Sequence, residues 1–251
     1  MFDITDRKLA EDAAFAIELE REQVHLLAEF LQNVSHDLRT PLTVLKSSMY
    51  FMRRTTPESQ QRRVDTMDQQ IDYMTRLLES MFTMVTLDRT NILEYEPVRI
   101  RDLLQMVYDR TLQPAQNRNI QLTINIAADL PAIEGNPVEL DRCLTNIVDN
   151  ALKFSPDGGE IHIHGYADSD DIVCEISDQG PGIDSDNLDL IFKRFYKEDS
   201  ARGARGNGLG LAIAQRIVNL HHGSITAKSD VGIGTTFIIR LPQTQPITPV
   251  S

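Results

Sequence analysis

The sequence predicts a multidomain α plus α/β chain: a dimeric helical hairpin closing into an antiparallel four-helix bundle, followed by an α/β sandwich. Three observations lead there. All 13 glycines lie at or after Gly135, so the first half lacks the residue that tight turns and close backbone approaches need. Apolar residues recur every seven positions through the first half, the signature of paired helices. Strand-like alternation sets in only near Leu122. Composition then bounds the function. Lys and Arg total 25 against 37 Asp and Glu, a formal charge of −12, which argues against a general binder of nucleic acid or anionic membrane. No apolar run approaches the ~18 residues that span a bilayer, and no signal-peptide pattern opens the chain. Cys143 and Cys174 are too few for a disulfide framework, so the expected compartment is the reducing cytoplasm.

The first helical stripe runs Ala10, Ile17, Val24, Leu31, Leu38, Leu45 and Met52, with Ala13, Leu27 and Val34 on a second seam that Glu20 interrupts. Such a stripe needs a partner helix. Thr55-Thr56-Pro57-Glu58-Ser59 ends it, because proline disfavours helical geometry in the residue before it. The second stripe is Val64, Ile71, Leu78 and Val85, with Met67, Met74 and Met81 three residues after the first three. These methionines read as adaptable core rather than as a soft metal site. One such hairpin has too little core to stand alone, and dimerisation supplies the rest.

His36 lies on the first helix, away from the seam. A lone helical histidine is most often an exposed surface residue. Here Asp37 is its neighbour, Arg39 and Thr40 follow, and Pro41 interrupts an otherwise strong helical pattern at a cost of about 3 kcal/mol. An outward imidazole beside a carboxylate suits a nucleophile, since the acid orients or takes one ring proton while the other nitrogen attacks. The segment Phe30-Leu-Gln-Asn-Val-Ser-His-Asp-Leu-Arg-Thr-Pro-Leu42 resembles the H box of sensor histidine kinases. That resemblance implies His36 as phosphoacceptor, Asp37 as base and Thr40 as the residue that positions water for dephosphorylation.

Beyond a joint near Thr90–Pro97, strands are expected at 122–126, 161–165, 172–176 and 235–239, and helices near 100–116, 137–154 and 209–222, layered with the helices on one face of the sheet. On helix 137–154, started by Pro137, Asn146, Asn150 and Lys153 share the face opposite the apolar one. They read either as a solvated polar face or as oxygens for Mg²⁺ beside a cation for phosphate. Asp178-Gln-Gly-Pro-Gly-Ile183 places a carboxylate at a strand end beside glycines, where it can accept from an adenine amino group. Gly206-Asn-Gly-Leu-Gly-Leu211 precedes a helix and reads either as a flexible loop or as amides that cradle phosphate. The Gly-x-x-x-x-Gly-Lys pattern of a P-loop is absent, and the Rossmann spacing fails.

Together these segments resemble the N, G1 and G2 boxes of the GHKL (Bergerat) ATPase fold, and Phe192-Lys-Arg-Phe195 resembles the F box that marks the kinases. The resemblance implies ATP and Mg²⁺ as cofactors. Asn150 would be the metal ligand, assisted by Asn146, with Lys153 and Phe154 alongside. Asp178 would meet adenine, with Thr235 supporting it. Gly180, Gly182, Ile183, Gly206, Gly208, Leu209 and Gly210 would form the pocket walls, and residues 196–207, with Lys197 and Arg202, the lid. Lys193, Arg194, Lys197, Arg202 and Arg205 stand against only Glu198 and Asp199 there, so an acidic chain gathers cations at the expected triphosphate.

The domains expected are 1–29, a PAS-like exit and coiled-coil linker; 30–90, dimerisation and histidine phosphotransfer; 91–97, a hinge; 98–242, the ATP-binding domain; and 243–251, a disordered tail. Phe2–Glu11 resembles the final strand of a PAS domain, which implies an upstream sensor in a longer parent protein, one that could carry a membrane anchor. The partners implied are a second copy of the chain and the receiver domain of a separate response regulator, with no nucleic acid and no direct membrane contact. A phosphatase activity toward that regulator is a further expectation. The competing reading is a nucleotide-gated dimeric interaction module without phosphotransfer. His162 and His164 share one strand face without a third metal ligand, and His221-His222-Gly223 reads as a helix C-terminus whose imidazoles suit the dipole.

Overall fold

The computed structural model describes residues 32–52, 56–90, 93–197 and 208–243. The PAS-like exit, the first heptads, most of the lid with Arg202 and Gly206, and the tail lie outside the described residues. The chain divides into two compact units, Met1–Leu78 and Glu79–Ser251.

In the first unit, residues 32–52 form α1, and α2 begins at Pro57 and runs to Arg89. Gln60 Nε2 donates to the Met52 carbonyl (3.1 Å) and the Arg63 guanidinium lies 5.0 Å from the centre of the Phe51 ring. Stepping forward on α2 therefore steps backward on α1, the signature of an antiparallel hairpin. The buried row on α1 is Val34, Pro41 and Ser48, while Leu38, Leu45 and Met52 are half-buried. On α2 the stripe Val64, Ile71 and Leu78 is exposed in the single chain. An apolar row left open at heptad spacing is what a chain built to pair with another helix presents.

The second unit is a two-layer sandwich. Its sheet has the order β2-β4-β5-β7-β6, formed by Gln121–Ile126, Glu160–Asp168, Asp171–Asp178, Gly234–Pro242 and Ser224–Asp230. Only β2–β4 is parallel. Helices α3 (Ile100–Asn117), α4 (Pro137–Phe154) and α5 (Gly210–Leu220) pack on the face that carries Ile161, Ile163, Ile176 and Phe237. The other face is mostly polar, with His162 and His164 on it. Among the described residues no group of His, Cys, Asp and Glu is arranged to hold a metal ion. The two cysteines are both buried, and burial pushes the Cys174 thiol up to about 12.

Three strands were not anticipated. Glu96–Val98 (β1) and Ile133–Gly135 (β3) form a short antiparallel ribbon, so Glu96 and Pro97 of the expected joint are paired residues. β6 reads Ser-Ile-Thr-Ala-Lys-Ser-Asp, and only Ile225 of it is buried. An edge strand with one buried side chain carries almost no alternation signal. The last turns of α2 are tied into this unit: Arg216 donates to the carbonyls of Leu87 (3.2 Å) and Thr90 (3.1 Å), Arg194 pairs with Asp88 (2.8 Å), and Arg142 bonds the Thr83 hydroxyl.

His221 departs from the dipole reading. It is fully buried, its Nε2 accepts from the Asn136 amide (2.9 Å), and Nδ1–H donates to the Ile217 carbonyl (2.8 Å). Both bonds require the neutral Nδ1–H tautomer, and burial lowers its pKa from the ordinary 6.5. The contribution of this neutral ring is complete above pH 6.5 and is lost as pH falls below it. His221→Phe leaves the Asn136 amide without its acceptor and is expected to cost about 2 kcal/mol at pH 7.5. Denaturant titrations at pH 7.5 and pH 5.5 should show that deficit shrinking at the lower pH.

Candidate functional site

Two constellations are candidates for chemistry, one in each unit. On α1, His36 is 77% exposed at the side chain, and its Nδ1 lies 3.3 Å from Oδ1 of Asp37, which is itself only 14% exposed. Pro41 has no amide to offer the carbonyl of Asp37 four residues back, so the helical ladder is interrupted beside the histidine. Thr40 is exposed one turn beyond His36, and residues four apart share a helix face. The Tyr73 phenol on α2 has its pKa raised, first by burial and then by the charge of Asp37. Asp37 thus contacts an imidazole on its own helix, and its charge is felt by a phenol on the second helix of the hairpin.

In the second unit, α4 is fixed at both ends. Asn136 caps its start by accepting from the Glu139 amide (3.0 Å), with Pro137 in the first turn. Arg118 closes its end, donating to the carbonyls of Leu152 and Ser155 (2.7 Å for Ser155) and to the Asp157 carboxylate (2.8 Å). Leu140, Cys143, Leu144, Ile147, Val148 and Ala151 form the buried face. Asn146, Asn150 and Lys153 are part-buried on the other side. Asn146 Nδ2 is buried without a hydrogen-bond partner among the described residues, an arrangement native proteins keep where a ligand or water completes it. Asn146 also lies beside Gly210 at the start of α5, where an added Cβ would sit 3.7 Å from its Oδ1. The Lys153 ammonium lies 4.3 Å from the centre of the Phe154 ring, and burial followed by the charge of Lys197 lowers its pKa. Two ammonium groups held within each other's field, one of them half-buried, suit an anion. Amide oxygens and ammonium groups are the donor set that a magnesium–phosphate pair requires.

At the end of β5, Asp178 is 8% exposed and opposes Thr235 of β7 in register. Burial pushes its pKa up to about 6, while the backbone amides of Gly180 and Thr235 pull it down; the Gly180 N–H donates to Oδ1 at 2.8 Å. Gly182, at φ +73°, packs so tightly that a Cβ would come 2.2 Å from the Asp230 carbonyl. Ile183 donates its amide to Ser229 Oγ (2.8 Å). Asp178, Gly180, Gly182, Ile183 and Thr235 are thus assembled into one wall.

The segment expected as the lid is described only at its ends. Phe192 is buried edge-on to Phe237, 6.4 Å between ring centres. Phe195 holds φ +60° and donates its amide to the Gly208 carbonyl (2.8 Å). Gly208 has φ +66°, and a Cβ there would come 2.8 Å from the Phe195 backbone, so the loop is pinched at its base. Leu209 behind it is fully buried. Ser229 is the residue that the sequence reading missed. A serine in a mostly polar edge strand offers no pattern, and its importance comes from partners 46 residues earlier and six residues later.

Two family models match the chain: the His Kinase A (phospho-acceptor) domain over residues 26–90, and the histidine kinase-, DNA gyrase B-, and HSP90-like ATPase over residues 135–245. Among curated proteins it is 34% identical to the sensor histidine kinase CpxA of Escherichia coli, covering 84% of this chain and 46% of that protein. It is 32% identical to the sensor protein DivL of Caulobacter vibrioides, covering 97% of this chain and 32% of that protein. The chain therefore spans a third to a half of the length of these relatives. Among solved structures, full-length ShkA in complex with AMPPNP matches with TM-score 0.66 at 26% identity, over 88% of this chain and 47% of that one. The histidine kinase ThkA in complex with response regulator protein TrrA shares the fold, with TM-score 0.75 at 22% identity over 89% and 64% of the two chains.

Proposed function

This chain belongs to the sensor histidine kinase family, and on that footing we propose that it is the catalytic core of one, transferring the γ-phosphoryl group of ATP to His36 and thence to an aspartate of a separate response regulator. The observation that carries this reading is the outward His36 imidazole with Nδ1 held by Asp37, in a chain whose other unit has the ATPase fold. With the proton kept on Nδ1 by the carboxylate, Nε2 is left with a lone pair. Attack by Nε2 on the γ-phosphorus forms the P–N bond as the bond to the β-phosphate oxygen breaks and ADP leaves. The positive charge that develops on the ring is balanced by Asp37, which also accepts the Nδ1 proton.

Asp178 accepts from the adenine amino group, and Lys153 and Lys197 meet the phosphates. Asn150, with Asn146, would hold Mg²⁺, which when bound neutralises phosphate charge. The Asn150→Ala variant is expected to lose at least about 10²-fold in phosphorylation rate, measured with ATP at saturating Mg²⁺. The open Val64–Ile71–Leu78 stripe supports a homodimer. A sensor domain upstream belongs to the same proposal, because the relatives are two to three times longer than this chain. Among the described residues no helix is long and apolar enough to cross a membrane.

The decisive experiment incubates the chain with γ-labelled ATP and tests the stability of the label. Acid-labile, base-stable label is the expected result, and its absence despite nucleotide binding would favour an interaction module. A second activity, dephosphorylation of the regulator, is supported by Thr40 standing exposed one turn from His36. Thr40→Ala should slow loss of label from a phosphorylated receiver about tenfold or more, while autophosphorylation changes little.

A further inference from the structure

The hydroxyl of Ser229 is fully committed, and counting its bonds gives a direction to its neighbour. A serine hydroxyl has one proton to donate and two lone pairs to accept with. The proton goes to the Gly234 carbonyl at 2.8 Å, which can only accept. One lone pair takes the Ile183 amide at 2.8 Å. Thr235 Oγ1, at 2.9 Å, then meets the remaining lone pair and must be the donor. Thr235 has only one hydroxyl proton, so all that its oxygen has left to offer is lone pairs.

We infer that Ser229 sets the base specificity of the site by locking the Thr235 hydroxyl as an acceptor beside Asp178, so that the pocket takes a purine with a 6-amino group and refuses a 6-oxo one. The inference rests on the reading of Asp178 as the adenine acceptor. Thr235 and Asp178 are register partners on the same face of the sheet, and an ionised carboxylate also only accepts. An amino group brings donors to both oxygens. A carbonyl at the same place brings lone pairs against lone pairs, with no donor to mediate. Without Ser229, the Thr235 hydroxyl is free to rotate and donate to such a carbonyl, and the discrimination weakens.

The surrounding packing keeps the device rigid. Gly232 donates its amide to the Pro181 carbonyl at 2.7 Å, Gly182 abuts the Asp230 carbonyl, and a Cβ on Gly234 would lie 2.0 Å from the Asp178 carbonyl oxygen. The loop after β5 and the β6–β7 turn therefore form one wall, in which Ser229 is a positioning residue and touches no reacting atom.

The test measures ADP and GDP affinities of the full chain by calorimetry. Wild type should favour ADP. Ser229→Ala should reduce the ADP-over-GDP ratio about tenfold, the order expected for one oriented hydrogen bond, and Ser229→Thr, which keeps the hydroxyl, should restore it. A ratio unchanged in Ser229→Ala, whether or not both affinities fall together, would overturn the inference and leave Ser229 a structural residue. If the alanine variant shows no native unfolding transition, Ser229→Cys, nearly the same size but a weak donor and acceptor, replaces it with the same expected loss. Asp178→Asn separates the two layers. If it leaves ADP binding intact, the adenine reading itself fails; if it abolishes ADP preference while Ser229→Ala does not, only this inference fails.

Discussion

Changing His36 to glutamine is expected to reduce incorporation of label from γ-labelled ATP to background while leaving affinity for a non-hydrolysable ATP analogue unchanged. Glutamine is close to histidine in reach and keeps hydrogen-bonding atoms near Asp37, so the helix loses little. Its amide nitrogen has no lone pair available for attack, because that pair is delocalised into the carbonyl. Nucleophilic catalysis is then removed rather than weakened. Asp37→Asn is the informative companion. It preserves shape but removes the charge that holds the Nδ1 proton and balances the ring, and a loss of about 10²-fold to 10³-fold is expected, typical of a general base. Label persisting in His36→Gln would mean that another residue accepts the phosphoryl group. Persistence of wild-type rates in Asp37→Asn would mean that the 3.3 Å contact is incidental.

The parts of this protein that were legible in its sequence share one property: their pattern is written locally. The H box places His36, Asp37, Thr40 and Pro41 within a turn and a half, and each constrains the same short stretch of helix. Helix 137–154 was legible to the residue, because Pro137 starts it and its two faces separate cleanly. Asp178 with Gly180 and Gly182 was legible because only glycine tolerates the approach at Gly182 to the Asp230 carbonyl. What escaped was non-local. The β1–β3 ribbon is three residues a side, too short for periodicity. β6 is held by its pairing with β7 and not by its own pattern. His221 does stand at a helix end, as its sequence suggests, but its burial escaped because the segment that buries it, through Gly135 and Asn136, lies some 85 residues earlier. The stripe on α2 illustrates a different failure. Periodicity reports that Val64, Ile71 and Leu78 seek burial but not which chain buries them, and in the single chain they remain open.

Asp178→Asn should make the nucleotide-free protein more stable at pH 8 and at the same time cost it most of its ATP affinity. The carboxyl is buried, and that burial outweighs the two backbone amides that favour its charge, so its pKa stands at about 6 instead of 3.8. A group whose folded pKa is raised stabilises the fold fully below its unfolded value, and that advantage is lost as pH rises through the folded one. At pH 8 the fold therefore carries an ionised, largely buried carboxylate at a cost of roughly 3 kcal/mol. Asparagine removes the charge and keeps one oxygen for the Gly180 amide, so a net gain of about 1–2 kcal/mol is expected once an imperfect hydrogen bond at Thr235 is allowed for. Thermal unfolding at pH 8 should rise by several degrees, and the gap between variant and wild type should close at pH 4, where both side chains are neutral. Binding should move the opposite way. The asparagine can offer its NH₂ group, a donor, where the base needs an acceptor, and a loss of about 10²-fold in affinity for ATP is expected. In wild type the same logic makes ATP affinity fall as pH drops below about 6, whereas the affinity of the variant should stay flat across that range. A variant both less stable and weaker in binding would mean that Asp178 is part of the packing and not a charge held in reserve for the nucleotide.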